Sequence, residues 1–262
     1  MTKTALITGA SSGIGLAFGQ VLAREKHNLI LVARSKDKLE ALKQELSQKH
    51  GIQAVVFVCD LTQTNAVKQL FEQIKQQGLT VDILINNAGY GDYGTFADSD
   101  WEKLQGMILR NTLALTHLSR LCLPSMITRG SGQILNVAST AAFQPGPMMA
   151  VYFATKAYVL SLSEALSAET EGTGVTVTVL CPGPTQSNFG QVAGMDKIPS
   201  MENVTSDNIP TALKVAEYGY QQLQKGEVIA VHGLLNKFLT FTPRIMPRKL
   251  IRTGIKKFMS PE

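Results

Sequence analysis

Residues 4–15 read TALITGASSGIG, and this stretch decides the fold. Thr4 to Thr8 is a short apolar run of strand character. Gly9, Gly13 and Gly15 follow directly, and Leu16 to Arg24 carries a helical pattern. Glycines suit such a turn because backbone there must pass close to phosphate oxygens and to the helix, where a Cβ would clash. The phosphates would rest on free N–H groups at the positive end of the helix. Strand, glycine turn and helix in that order predict a dinucleotide site at the start of the chain.

The pattern continues outward. Short runs rich in Val, Ile and Leu fall at about 3–8, 28–33, 53–58, 82–86, 132–137, 175–180 and 227–231. They show little in/out alternation, as strands covered on both faces do. Helical stretches separate them: Lys36 to His50, Thr64 to Gln77, Asp100 to Thr128, Val151 to Glu171 and Ser206 to Lys225. The alternation predicts an α/β chain: a Rossmann-type, doubly wound parallel sheet of seven strands with helices on both faces, in a single domain. In such sheets ligands bind beyond the carboxyl ends of the strands, where strand order reverses. The polar and glycine-rich segments fall at those ends. Arg34 follows the second strand, Asp60 the third, Asn86 to Gly89 the fourth, Ser139 the fifth, and Pro182 with Gly183 the sixth.

A chain of 262 residues can bury a generous core, and 44% hydrophobic with 17% charged residues is a globular balance. Lys3 is followed at once by the glycine turn, unlike a signal peptide. No apolar run reaches the roughly 18 residues needed to span a bilayer. Cys59, Cys122 and Cys181 are too few and dispersed for a disulfide framework or a zinc site, and no metal ligand set is expected. A reducing, cytoplasmic setting follows. The net charge of +5 is uneven: from Lys237 onward seven basic residues face one acid, leaving 18 basic and 19 acidic residues before it. Nothing ahead of that tail suggests a basic groove, so no nucleic-acid partner is expected.

The chemistry centres on Tyr152 and Lys156, four residues apart on one helical face, with Ser139 upstream. A free phenol has a pKa of about 10 and is a poor base near neutrality. A nearby ammonium favours phenolate and is expected to lower that value by roughly 1–3. The same Lys can hydrogen-bond ribose hydroxyls, and Ser139 can hold a carbonyl oxygen beside the phenol. Such a set moves a proton onto or off a hydroxyl. With the dinucleotide turn it implies hydride transfer.

On TGASSGIG (Thr8 to Gly15), NNAG (Asn86 to Gly89), Asn111, Ser139, Tyr152 with Lys156, and Pro182 with Gly183, the chain resembles the short-chain dehydrogenase/reductase family over about residues 1–232. The resemblance implies an NAD(P)-dependent oxidoreductase interconverting a carbonyl and a secondary alcohol. Tyr152 would be general acid in reduction and general base in oxidation. Lys156 would lower its pKa and bind the nicotinamide ribose, and Ser139 would orient the carbonyl. Asn111 would hold a water linking Lys156 to solvent. Cofactor contacts would come from Gly9, Ser11, Ser12, Gly13, Ile14, Gly15, Arg34, Asp60, Leu61, Asn87, Ala88, Gly89, Tyr152, Lys156, Pro182, Gly183, Thr185 and Ser187. Asp60 would accept from the adenine amino group, while Asn87 and Gly89 would line the adenosine ribose. Members that use NAD usually carry an acid at the end of the second strand. Here Ala33 is followed by Arg34 and Ser35, which favours NADP(H), because Arg pairs with a 2′-phosphate that an acid would repel. Ser187 falls where the family often has the Thr that touches the carboxamide. Helices corresponding to Asp100–Thr128 and Val151–Glu171 would pair subunits into a homodimer or homotetramer.

Phe143, Pro145, Met148 and Met149 follow Ser139, and Phe189, Met195, Ile198 and Met201 follow Pro182. Loops rich in Met and Phe suit an apolar ligand, here a lipophilic ketone or alcohol of 3-oxoacyl, steroid or terpenoid type. Residues 233–262 lie outside the dinucleotide-binding and catalytic domain, 1–232, as a basic extension. From Lys249 a short basic amphipathic helix is expected, with Leu250, Ile251, Ile255 and Phe258 apolar. Segments of this kind contact membrane surfaces peripherally or dock on a lid or another subunit. A non-catalytic NADP-sensing protein on the same fold is the other class to weigh, but such proteins usually lack Ser, Tyr or Lys of the set. An epimerase of the extended branch usually shows different glycine spacing.

Overall fold

The computed structural model describes residues 2–195 and 209–260. Seven strands form one parallel sheet in the order β3-β2-β1-β4-β5-β6-β7. They are β1 (Thr4–Thr8), β2 (Asn28–Ala33), β3 (Ala54–Val58), β4 (Ile83–Asn86), β5 (Gly132–Val137), β6 (Val175–Cys181) and β7 (Ile229–Val231). Each lies within two residues of its expected position. Strand order reverses between β1 and β4, where Ala5 registers with Asn28's neighbour Leu29 on one side and Ile83 on the other.

The connecting helices are α1 (Gly13–Arg24), α2 (Lys36–His50), α3 (Ala66–Gln76), α4 (Trp101–Ile108), α5 (Leu115–Thr128), α6 (Ala150–Glu169), α7 (Phe189–Val192) and α8 (Ala212–Lys225), with α9 (Leu234–Phe241) and α10 (Arg248–Met259) after β7. Ser206, the expected start of α8, lies outside the described residues. Successive side chains of β1 explain why the strands lack alternation. Ala5 and Ile7 join a core with Phe18, Val21 and Leu22 of α1 and Val215 and Leu223 of α8. Leu6 points the other way, into a core with Val67, Leu70 and Phe71 of α3 and Leu118 and Met126 of α5. Both faces are covered, so both sets of side chains are apolar.

The span 101–128 is helical throughout but not α throughout. Between α4 and α5, Leu109–Ala114 widen into a π turn that carries Asn111. Such widened turns are uncommon and concentrate at functional sites. Below it a buried amide chain ties the layers together: Asn86 Nδ2 donates to Ser119 Oγ at 3.1 Å and Asn136 Oδ1 at 2.9 Å, and Asn136 donates to Ser163 Oγ at 3.0 Å.

Candidate active site

The glycine turn lies at the β1/β4 switch point. Gly9 takes φ +68°, a left-handed conformation that side chains rarely adopt. A Cβ on Gly15 would stand 2.2 Å from the Gly9 carbonyl oxygen and 2.4 Å from Asn87 Nδ2. Ser12 caps α1 without a side-chain hydrogen bond, and no acid occupies the first helical turn. The leading N–H groups of α1 are therefore open to an anion. Ser11, Gly13 and Ile14 are half-buried and Ser12 is exposed. A cradle that a Cβ would fill, beside an uncapped helix start, fits a dinucleotide pyrophosphate.

Thr8 fastens this turn to β4, a role not anticipated from sequence. Its hydroxyl donates to the Ile85 carbonyl at 3.3 Å and accepts from the N–H groups of Asn87 and Ala88 at 3.0 Å each. The Asn87 side chain was expected beside a ribose. Its amide donates to the carbonyls of Thr8 at 3.0 Å and Gly9 at 3.4 Å, so it also braces the turn.

At the end of β2, Ala33 is buried and Arg34 exposed. Asp60 Oδ1 accepts from the N–H and hydroxyl of Thr62 at 3.1 and 2.9 Å and from Arg110 at 3.1 Å. Burial pushes the Asp60 carboxyl up, but the Thr62 and Arg110 bonds outweigh it and hold the pKa below its ordinary value. Leu61 packs into the core below. Arg110, also unanticipated, lies with its guanidinium 5.0 Å from the centre of the Tyr90 ring. Its position directly before Asn111 was the only sequence signal.

Asn111 is 1% exposed and fully engaged by protein. Its Oδ1 accepts from the Tyr90 N–H at 3.1 Å, and its Nδ2 donates to the Tyr90 carbonyl at 2.9 Å and Thr155 Oγ1 at 3.1 Å. Thr155 donates in turn to the Tyr152 carbonyl at 2.7 Å. The side chain therefore clamps the segment after β4 to α6, using both amide hydrogens. A Cβ placed on Gly89 would be 3.0 Å from Asn111 Oδ1 and 3.6 Å from Lys156 Nζ, which locates Gly89 between them.

Ser139, Tyr152 and Lys156 come together beyond β5. Ser139 Oγ accepts from the Ala141 N–H at 3.1 Å and donates to the Pro182 carbonyl at 3.4 Å, and Pro182 also accepts from the Thr140 N–H at 2.9 Å. Thr185 and Ser187 hold local turns, with Thr185 Oγ1 donating to the Gly183 carbonyl at 3.0 Å. Ser187 also comes against the glycine turn, 3.4 Å from where a Gly13 Cβ would stand. Lys156 Nζ donates to the Val137 carbonyl at 2.8 Å and lies 5.7 Å from the centre of the Tyr152 ring. Burial pushes the Tyr152 phenol up to about 12, against a hydrogen bond with Ser139 that lowers it. Burial pushes Lys156 down to about 8, against the nearby Cys181, which raises it. The expected lowering of the phenol by Lys156 is thus not what this arrangement produces. Desolvation disfavours the charged form of each group and outweighs the opposing contributions of Ser139 and Cys181.

Around Tyr152 lies an apolar cluster that includes Leu104, Met107, Met148, Met149, Phe189 and Met195. Phe189 stacks at a tilt, 5.3 Å between ring centres. A narrow depression beside the phenol is lined by Phe96, Leu104, Met107, Met148 and Asp92. Phe143 does not join it: that ring packs in a separate cluster with Leu115 and Val231 because the 3₁₀ turn Thr140–Phe143 points it away. Pro145 is exposed, and Ile198 and Met201 lie outside the described residues. The tail docks here. Ile255 and Met259 of α10 pack into the Tyr152 cluster, and the Tyr93 hydroxyl donates to the Met259 carbonyl at 2.5 Å. Among the described residues no three His, Cys, Asp or Glu side chains gather as metal ligands, and the three cysteines are free.

A parallel sheet with a phosphate cradle at its switch point, facing a Ser, Tyr and Lys set, defines a nicotinamide-dependent oxidoreductase. The chain belongs to the short chain dehydrogenase family, whose sequence profile matches residues 3–197. It is 38% identical over 181 residues to the ketoacyl reductase HetN of Nostoc sp., a match covering 69% of this chain but only 63% of HetN. It is 29% identical over 255 residues to the very-long-chain 3-oxoacyl-CoA reductase of Mus musculus, covering 94% of this chain and 78% of that protein. A short-chain dehydrogenase from Sphingobium yanoikuyae, solved in complex with NADPH, superposes with TM-score 0.82 at 29% identity, covering 99% of each chain. Family members with this fold act on alcohol and keto groups with a nicotinamide cofactor.

Proposed function

We propose that this chain reduces a lipophilic ketone with NADPH through Ser139, Tyr152 and Lys156. The observation that carries the reading is a buried phenol set beside Ser139, with Lys156 Nζ 5.7 Å from its ring centre and Met and Phe side chains around it. When bound, the cofactor would supply the hydride that reaches the carbonyl carbon. Tyr152 then gives its proton to the carbonyl oxygen, on which Ser139 also places a hydrogen bond. The resulting phenolate is stabilised by Ser139 and by Lys156, which at a pKa of about 8 is charged near neutrality and able to return a proton. Asn111 keeps α6 and the segment after β4 in register through Thr155 and Tyr90.

The glycine turn and the start of α1 would hold the pyrophosphate, with Asp60, Leu61, Ala88 and Gly89 around the adenosine and Pro182 to Ser187 against the nicotinamide. Exposed Arg34 after buried Ala33 supports NADP(H), since a 2′-phosphate there meets a cation, and the nearest acid along the chain, Asp37, lies in the first turn of α2. The similarity to a very-long-chain 3-oxoacyl-CoA reductase supports an acyl-type carbonyl. Subunits would pair through α4, the π turn, α5 and α6, where Trp101, Ile108, Leu113 and Tyr158 are exposed. Residues 233–262 would act as a basic extension with peripheral membrane contact, in a cytoplasmic protein. Among the described residues no helix is long and apolar enough to cross a membrane.

The test is oxidation of NADPH and NADH against carbonyls from small and polar to long and apolar. Turnover of apolar ketones with NADPH is expected. Turnover confined to small polar carbonyls would reject the substrate class, and a preference for NADH would reject the role of Arg34.

A further inference from the structure

The tail after β7 carries a helix built inside out. In α9 the polar Thr240 is 6% exposed, while Leu234, Leu235, Phe238 and Phe241 are 85%, 70%, 65% and 52% exposed. At about 100° per residue these four share one arc, opposite Thr240. A helix on a water-facing surface has the reverse arrangement. Ile245, Met246 and Leu250 extend the exposed apolar surface into the start of α10. Seven cations accompany it: Lys237, Arg244, Arg248, Lys249, Arg252, Lys256 and Lys257, all exposed. Among the described residues none of them forms an ion pair. On α10 Lys249, Lys256 and Lys257 lie away from Ile251 and Ile255, Arg248 and Arg252 flank Met259, and Ile255 and Met259 reach the Tyr152 cluster.

We propose that α9 and α10 form a docking face for an anionic phospholipid surface, and that docking places the Tyr152 cluster at the bilayer. Exposed Leu and Phe insert at the interface while flanking Lys and Arg meet lipid phosphates. The charge argues against a second copy as the occupant. A two-fold contact through this face would bring the same seven cations against each other. α10 carries Lys249, Lys256 and Lys257 on one side and packs Ile255 and Met259 on the substrate cluster, so docking brings the route of an apolar ketone to the bilayer. That second half rests on the lipophilic-ketone reading; the docking does not.

The experiment is co-sedimentation of the full chain, without substrate, with vesicles of phosphatidylcholine alone or mixed with phosphatidylglycerol. Binding to the anionic vesicles, lost at high salt, is expected. K249A/R252A/K256A is expected to weaken partition about 100-fold, at about fivefold per cation. L234S/F238S/F241S is expected to weaken it at least about 10-fold, with NADPH binding retained as a check of folding. Equal sedimentation with both vesicle types, or unchanged binding of both variants, overturns the docking. So does a change in oligomer size of the serine variant, by sedimentation velocity, with vesicle binding intact, since the face would then belong to a second copy. Vesicle binding without turnover of any lipophilic ketone leaves docking standing and overturns the substrate route alone.

Discussion

Replacing Asn111 with Leu is expected to damage stability and activity together. Leu keeps the branching and heavy-atom count of Asn but is bulkier, so the change adds methyl bulk at a buried site and removes hydrogen bonds. Three are lost: Oδ1 with the Tyr90 N–H at 3.1 Å, and Nδ2 with the Tyr90 carbonyl at 2.9 Å and Thr155 Oγ1 at 3.1 Å. Thr155 still donates to the Tyr152 carbonyl. The Tyr90 backbone loses both partners in a half-buried place, and each orphaned group costs about 1–2 kcal/mol. The sum, about 2–4 kcal/mol, is a large part of a typical stability of about 5–15 kcal/mol. For a chain of this size each kcal/mol moves Tm by about 2–4 °C, so a fall of about 4–16 °C is expected. Scanning calorimetry on wild type and variant reads it, and steady-state kinetics on the same samples reads kcat. A variant melting within about 1 °C of wild type, yet crippled in kcat, would refute the clamp and return Asn111 to a role in proton relay.

Tyr152→Phe should keep the stacking on Phe153 and Phe189 and lose the proton donor, so kcat is expected to fall about 10²–10⁴-fold while NADPH affinity, read by fluorescence titration, stays unchanged. Lys156 sits at about 8 in the fold against 10.5 as an ordinary Lys, so between those values the unfolded chain binds a proton that the folded chain has released. The stability of wild type relative to Lys156→Met should therefore rise with pH across that window; a flat difference in urea midpoints would show that the ammonium is not desolvated. Arg34→Glu places a negative charge against a 2′-phosphate and is expected to invert the NADPH over NADH preference in kcat/KM, with equal losses for both cofactors as the contrary result.

The strands, the glycine turn and the Tyr152–Lys156 spacing were legible because each is a local pattern. Apolar runs mark strands covered on both faces, Gly9 and Gly15 answer to their own backbone and nearest neighbours, and an i, i+4 pair shares a helical face wherever the helix goes. Seven strands stand within two residues of where the sequence places them, and TGASSGIG lies at the switch point. Other features depend on segments that meet only on folding. Asn87 turns back to Thr8 and Gly9 across 79 and 78 residues, Arg110 reaches Asp60 across 50, and the π turn brings Asn111 to Tyr90 and Thr155. No periodicity along the chain encodes these pairings. The direction of the Tyr152 shift was hidden for the same reason: spacing shows that Lys156 is near, but burial by the surrounding layers pushes the phenol up. Composition marked the tail as basic and amphipathic. Only the packing of Met259 against Tyr93, 166 residues away, decided which side of α10 faces the site, and only the burial of Thr240 showed that α9 turns its apolar side outward.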